Sequence, residues 1–345
     1  MFYKINQLIM KKLIAILTLS ILFYSCSSTK TTTKIEIDIA PGITGNAREL
    51  VRVTNDPIPE FRPKVSPDGK KILFYTRDDN KAGYEKWSIV YIKIGEPGRI
   101  PLVGAYTADP NWLPDSKGIL FQYLQPSKPV ICKGNIEGST GISYVSPSGM
   151  GDFDGTPQAS ADGKKILFET KIGTGYQICL MDASGNNFTV LSKGQNPCWH
   201  PNGNSFVYQN MVGKNSQLFS YDLKSGQSTQ LTSGDQDNYS PSINTRGDKI
   251  AFVSTRAKNA HIFISAIGGN EVVQVTQGNT QNAYPVWSSN DLIYFCSNAG
   301  GSITGKKKTT TVRNFNSMYL TQLQQFVEKD VSLADYSDIW SVQVK

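Results

Sequence analysis

Acidic and amide side chains recur just before short extended segments that begin with proline, and these side chains could bind a ligand. Carboxylate and amide oxygens can accept hydrogen bonds from a peptide or a glycan, or coordinate a cation. The same residue types are also favoured in turns. We take six of them as candidate lining residues of a polar binding funnel: Glu60, Asp109, Asp154, Asn196, Asp237 and Asn282.

Patterns typical of catalysis are absent from the sequence. It has only two histidines, His200 and His261, and no G-x-S-x-G, His-x-His or Cys-x-x-Cys spacing. We therefore predict no catalytic residue, no metal site and no cofactor. Four cysteines lie in separate apolar, strand-like segments, which favours buried thiols over disulfides: Cys132, Cys179, Cys198 and Cys296.

The elements that position these residues form a repeat. The segment from Pro63 to Thr76 combines an extended stretch, a Pro-Asp-Gly turn and an apolar strand, and it has five further copies. The leading prolines are 47, 47, 40, 44 and 44 residues apart. In every copy the sixth residue after the proline is a turn former: Gly69, Ser116, Gly163, Gly203, Gly247 and Asp291. This period predicts an all-β, six-bladed β-propeller with four-stranded blades.

The two ends of the repeat region complement each other. Residues 48–54 resemble an outer strand without a blade before it, and residues 338–344 resemble a third strand without an outer strand after it. An unpaired strand would expose backbone donors and acceptors. We therefore predict that the N-terminal strand closes the last blade, and that the propeller comprises residues 48–345.

The N-terminus has the features of a lipoprotein signal. Residues 1–25 combine lysines with an apolar run from Leu13 to Tyr24, which is typical of a secretory signal peptide, and Cys26 follows a small residue. We predict lipidation of Cys26 and a flexible polar tether over residues 26–47. Three of the seven excess positive charges lie in the first 25 residues, so a net charge of +4 is left for the remainder. This diffuse charge does not indicate a nucleic-acid partner.

Blade six contains an insertion at about residues 302–334. Asn314 or Asn316 could cap a helix that runs to about Lys329. One face of this helix would be apolar, with Phe315, Tyr319, Leu323 and Phe326. Such a helix could simply dock on its own domain, or be a feature specific to this protein.

The S-P-D-G-K-K-I-L-F segment, the D-I-W-S third strand and the L-T-x-G endings resemble the propeller repeats of the TolB family. The resemblance covers about residues 48–345. It implies a periplasmic six-bladed propeller of the cell envelope. TolB proteins also carry an α/β domain before the propeller, for which residues 26–47 leave no room, so we expect a propeller-only relative. A role in colicin import or Pal binding is therefore not implied.

The function expected from this resemblance is a lipid-anchored, non-enzymatic binding or scaffold module. We expect it at the outer membrane facing the periplasm, with surface exposure as an alternative, as a monomer whose partner is an envelope protein or a glycan. The alternative function is that of a propeller polysaccharide lyase similar to oligogalacturonate lyase, or of a glycan-binding protein. Such lyases use a metal held by several histidines, and this chain has two.

Overall fold

A computed structural model describes residues 40–55, 58–124, 128–137, 141–146, 151–288, 291–299 and 337–345. The predicted signal peptide, Cys26, most of the tether and the predicted insertion helix lie outside these ranges. Within them, no helix has the length and apolarity needed to cross a bilayer.

Six antiparallel four-stranded sheets form the blades, and in each blade the strands run in order from the axis outward. The first three blades are β3 (Glu60–Val65), β4 (Lys71–Arg77), β5 (Trp87–Lys93), β6 (Ile100–Val103); β7 (Thr107–Trp112), β8 (Gly118–Tyr123), β9 (Val130–Asn135), β10 (Ser143–Tyr144); and β11 (Asp154–Ala159), β12 (Lys165–Ile172), β13 (Gly175–Asp182), β14 (Thr189–Lys193). A single 3₁₀ turn, Gly83–Lys86, precedes β5 in the described part of blade one.

The last three blades complete the ring, and the sixth takes its outer strand from the N-terminus. They are β15 (Gln195–Trp199), β16 (Ser205–Val212), β17 (Asn215–Asp222), β18 (Gln227–Gln230); β19 (Asn238–Ile243), β20 (Lys249–Ala257), β21 (Asn259–Ala266), β22 (Val273–Gln274); and β24 (Asn282–Trp287), β25 (Leu292–Ser297), β26 (Asp338–Val344), β2 (Ala47–Arg52). Each inner strand contacts the next, and β24 contacts β3, so the ring is closed. The predicted six-bladed propeller is confirmed.

The turns between the first two strands of each blade are as predicted. The sixth residue after each leading proline has a positive φ, between 54° and 78°. Glycine adopts this conformation without a steric penalty, but Ser116 and Asp291 adopt it as well. The turn geometry is therefore set by the blade, and glycine is only the commonest residue that satisfies it.

The core consists of six apolar clusters, one between each pair of neighbouring blades. The second strand of each blade is apolar on both faces because both faces pack against neighbours. In blade one, for example, Ile72 and Phe74 face blade six, whereas Leu73 faces blade two. This explains why these strands are continuous apolar runs and do not alternate.

Every second blade has a tryptophan two residues after its leading proline. The indole N–H of Trp112 donates to Lys64 O (2.8 Å), that of Trp199 to Gln158 O (3.1 Å) and that of Trp287 to Ser242 O (3.0 Å). The equivalent residues of the other blades are Val65, Ala159 and Ile243. The blades are therefore linked in pairs (one with two, three with four, five with six) by the same hydrogen bond.

The ring closes at a seam, by which we mean β2 with β26 and the contacts of Arg52, Thr54, Glu60 and Asp338. β2 pairs antiparallel with β26, from Ala47 opposite Val344 to Arg52 opposite Trp340. Arg52 Nε donates to Asp338 Oδ2 (2.8 Å). The backbone N–H groups of Val53 and Thr54 donate to Ile339 O. The predicted closure of the last blade by the N-terminal strand is confirmed.

The propeller begins slightly before residue 48, inside the stretch that the sequence assigns to the tether. β1 (Gly42–Ile43) pairs with β23 (Thr276–Gln277) on the fifth blade. Thr44 Oγ1 donates to Gln274 O (2.5 Å), and Ala47 is buried in the core. A strand of two residues is too short to show an alternation of polar and apolar residues, so the sequence could not predict this pairing.

Candidate functional site

Each inner strand is interrupted by a bulge at its leading proline. In blade one, Phe61 pairs with Tyr75 and Lys64 with Leu73, so β3 holds one more residue than β4 between these pairs. The same shift occurs in all six blades. Bulges redirect side chains. We call the residues that precede the six prolines the axial ring: Arg62, Asp109, Thr156, Asn196, Ser240 and Tyr284.

All six residues of the axial ring have left-handed backbone conformations, with φ between 45° and 54°. Residues before proline normally prefer extended conformations, and none of the six is glycine. Such a conformation costs on the order of 1–3 kcal/mol and persists only where the surrounding structure enforces it. Its repetition six times around one axis makes this ring the candidate functional site.

Side chains from neighbouring blades hold the inner strands in place. Gln122 Nε2 donates to Asp154 O (2.7 Å), and Cys296 Sγ approaches Glu60 O at 3.4 Å. Two ring residues are held directly: the backbone N–H of Asn196 donates to Glu169 Oε2, and that of Ser240 to Gln209 Oε1, both at 2.8 Å. The four side chains that make these contacts all lie on the second strand of a blade, so the repeat itself supplies the support.

Arg62 is the centre of the axial ring. Its Nε lies 3.2 Å from Asp109 Oδ1, and its Nη1 donates to Asn196 Oδ1 (2.8 Å). The guanidinium also lies 4.9 Å from the ring centroid of Tyr284. Burial raises the pKa of Tyr284 to about 12, so this phenol stays neutral and can act as a hydrogen-bond donor. The ring thus offers donors, acceptors and one compensated ion pair.

A second layer of side chains lies two residues further along the inner strands. Lys64, Asn111 and Gln158 from the first three blades line the same cavity as the axial ring. The cavity measures about 40 Å³, which is room for a small polar group or a few water molecules. Burial, with a smaller contribution from the charge of Arg62, lowers the pKa of Lys64.

Two of the six predicted funnel residues belong to the axial ring, namely Asp109 and Asn196. Glu60, Asp154 and Asn282 lie two residues before the ring and are fully buried. Thr54 and Arg99 donate to the carboxylate of Glu60, and Asn282 Nδ2 lies 3.0 Å from His261 Nδ1. Burial raises the pKa of Asp154. The sixth residue, Asp237, accepts a hydrogen bond from Ser216 N (2.8 Å).

The sequence reasoning missed Arg62, Thr156, Ser240 and Tyr284 in the ring and Lys64 beside it. The signal was present, because every ring residue stands directly before a leading proline. The six positions share no residue type, because they hold a cation, a carboxylate, an amide, two hydroxyls and a phenol. Residue type alone therefore did not identify them as one set.

Both histidines take part in structural contacts. His200 Nε2 lies 3.0 Å from Gly247 O in the next blade. His261 is buried, and burial lowers its pKa to about 4. All four described cysteines are unpaired. Across the described ranges, no group of three His, Cys, Asp or Glu side chains has a geometry that could hold a metal ion.

Comparison with known proteins gives a consistent family signal. A family model described as the TolB beta propeller domain matches residues 41–217. An uncharacterized protein of Agrobacterium fabrum is 26% identical over 193 residues, which is 54% of this chain and 64% of that protein. The Tol-Pal system protein TolB of Francisella tularensis subsp. mediasiatica is 24% identical over 258 residues, which is 70% of this chain and 57% of that protein. The chain thus spans less than two thirds of either relative.

Solved structures agree on the fold. The crystal structure of TolB from Acinetobacter baumannii has a TM-score of 0.55 at 21% identity, covering 67% of this chain and 62% of that chain. The fold also matches 25% of the chain of the tricorn protease, with a TM-score of 0.56, and 98% of the chain of an oligogalacturonate lyase, with a TM-score of 0.51. The fold alone therefore does not distinguish a binding protein from an enzyme.

Proposed function

This chain belongs to the TolB β-propeller family, and from that premise we propose that it acts as a binding module of the cell envelope. In this proposal a lipid on Cys26 anchors the protein at the outer membrane, and the propeller faces the periplasm. The axial ring binds a segment of an envelope protein or of a glycan. No chemical step is part of the proposed function.

The observation that carries the proposal is the backbone of the axial ring. A left-handed conformation before proline is unfavourable, and all six blades adopt it at the same position. The apolar core lies between the sheets, and among the six ring residues Tyr284 packs against it. The bulges bring one side chain from each blade to the axis. Strain of this kind concentrates at binding sites, which supports a role in recognition.

The chemistry of the ring suits a polar chain segment better than a reaction. Asn196, Ser240 and Tyr284 supply neutral donors and acceptors, and Arg62 is paired with Asp109. Peptides and glycans are recognised through such groups. Both histidines are engaged in contacts within the fold, which supports structural roles for them. The envelope assignment is supported by a relative whose name places it in the Tol-Pal system.

The test uses a variant that obstructs the ring. Ser240→Tyr adds a large side chain at a position where the backbone resembles that of Tyr284, with φ 51° against 54°. The matched control is Ser184→Tyr on an exposed turn. Each tagged, full-length protein is recovered from crosslinked cell envelopes, and the attached protein or glycan is quantified. We expect wild type and Ser184→Tyr to retain a specific partner that Ser240→Tyr loses.

Equal recovery of the partner by Ser240→Tyr, at unchanged thermal stability, would show that the axis is not the site. Turnover of a pectic oligosaccharide or a peptide by the purified protein would favour the enzymatic alternative. The same cell fractions test the anchor, because Cys26→Ser should move the protein from the membrane fraction to the soluble fraction. A mature N-terminus without acyl mass would contradict lipidation.

A further inference from the structure

Three amide side chains of the axial cavity have fixed orientations. Asn111 Oδ1 accepts from Trp112 N (2.9 Å), and Gln158 Oε1 accepts from Trp199 N (3.2 Å). Asn196 Oδ1 accepts from the guanidinium of Arg62 (2.8 Å). Backbone N–H and guanidinium groups can only donate, so the oxygen of each amide must face them. Each amide NH₂ group therefore remains available as a donor.

Lys64 adds a cation to these donors. Its side chain lines the cavity and, within the described ranges, has neither a hydrogen bond nor an ion pair. The nearby carboxylate of Asp109 is already paired with Arg62 at 3.2 Å. The thiol of Cys198 also lies near, and burial raises its pKa, so it is neutral. Burial lowers the pKa of Lys64, and the opposing influence of Cys198 and Asp109 does not cancel this effect.

The charged residues that line the cavity do not balance. They are Arg62, Lys64 and Asp109, two cations and one anion, which leaves a net charge of +1. Glu169 accepts a hydrogen bond from the backbone of Asn196 but is not among the lining residues. Lys64 is half-buried, and burial of a charge is costly unless the charge is paired and hydrogen-bonded. The missing component is one negative charge that accepts several hydrogen bonds.

We propose that Lys64, Asn111 and Gln158, with Arg62 beside them, form a binding site for a monovalent carboxylate. A carboxylate group carries a single charge and accepts up to four hydrogen bonds, and a cavity of about 40 Å³ can hold it. The carboxylate could belong to a small free acid or to the side chain or C-terminus of a bound peptide. Only the peptide source rests on the proposed function.

The experiment observes Lys64 directly. Protein carrying ¹³C at the lysine ε-carbons is titrated by NMR with sodium acetate at constant ionic strength, with sodium chloride as the reference salt. The Lys64 signal is assigned from its absence in Lys64→Met. We expect acetate to produce a saturable shift of this signal and to raise the pKa of Lys64. The signal of the exposed Lys193, assigned in the same way, should not move.

Gln158→Glu supplies the matched variant. Glutamate can still accept from Trp199 N, but it places a negative charge where the amide NH₂ stood, so the affinity for acetate should fall at least about tenfold. A peptide with a free C-terminal carboxylate is then compared with the same peptide amidated at its C-terminus. Stronger binding of the free acid identifies a peptide source, and binding of acetate alone identifies a small acid.

Three outcomes would overturn the proposal: an equal response of Lys64 to chloride and acetate, tighter binding of phosphate than of acetate, or full affinity in Gln158→Glu. These results are independent of the recovery of an envelope partner. If the protein captures an envelope partner but does not bind acetate, the proposed function stands and the carboxylate site is wrong. If it binds acetate but captures no partner, the carboxylate site stands and the proposed function is wrong.

Discussion

Glu60 and Arg62 are two residues apart in the same strand and both are buried, yet they serve two different regions. Glu60 belongs to the seam, where Thr54, Arg99 and the backbone N–H of Ile339 all donate to its carboxylate. Arg62 belongs to the axial ring, where it shares a cavity with Lys64. In the seam each carboxylate is paired with an arginine of the fold, Asp338 with Arg52 and Glu60 with Arg99. In the cavity one cation is left without a partner among the described residues.

The difference shows how a repeat protein separates stability from recognition. The residue two positions before the ring is polar and fully buried in five blades, and in the fourth it is Gly194. The bulge then turns the next polar position toward the axis. Substitutions in the seam should therefore cost stability, whereas substitutions at the cavity should change binding and can even increase stability.

The largest effect is expected from removing the closing strand. Deleting residues 27–55 removes β2 and leaves the backbone of β26 unpaired, which should lower the melting temperature by more than about 10 °C or cause aggregation. Deleting residues 27–39 removes no described contact and should leave the melting temperature unchanged. Differential scanning calorimetry and size-exclusion chromatography measure both effects.

A third deletion, of residues 27–46, removes β1 and its pairing with β23 but keeps β2. Its melting temperature should lie between those of the other two. If all three proteins melt at the same temperature, the seam does not hold the ring together.

A smaller loss is expected for Glu60→Ala. The substitution leaves Arg99 and the N–H of Ile339 without their buried acceptor, and removing one partner of a buried ion pair costs about 3–5 kcal/mol of unfolding free energy. The control is Glu137→Ala, whose partner Lys117 lies 3.0 Å away on the surface, with both side chains more than half exposed. An exposed pair of this kind contributes at most about 1 kcal/mol. Urea denaturation compares the two, and equal losses would remove the distinction between seam and surface.

The fold could be predicted from the sequence because a propeller repeats its turns. The spacing of the leading prolines indicated the number of blades, and two unmatched strands, residues 48–54 and 338–344, indicated the closure. Both signals can be read from residue types and their spacing, and they need no knowledge of side-chain contacts.

The candidate site could be predicted only in part. Regular alternation along an inner strand does not indicate which residue faces the axis once a bulge adds a residue. Local backbone preferences also place the residue before proline in an extended conformation, whereas Arg62 and Tyr284 have φ values of 53° and 54°. The closed ring overrides these preferences. Asp109 and Asn196 were identified because their types suggested chemistry, and Lys64 was missed because a single lysine in a strand does not.

The smallest effect should have the opposite sign. Lys64→Met keeps the length of the side chain and removes an ammonium group that is half-buried and has no partner among the described residues. Because a half-buried charge without a partner opposes folding, the free energy of unfolding at pH 7 should rise by roughly 0.5–2 kcal/mol. Lys193→Met, on an exposed outer strand, should change it by less than about 0.5 kcal/mol. Urea denaturation in chloride buffer measures both variants.

A loss of stability in Lys64→Met would mean that the lysine is satisfied within the fold. The charges of the cavity would then be paired by the fold itself, as they are in the seam. A gain, together with a saturable acetate shift of the Lys64 signal in the wild type, would mean that the chain keeps this lysine at a cost in stability because the charge binds a ligand.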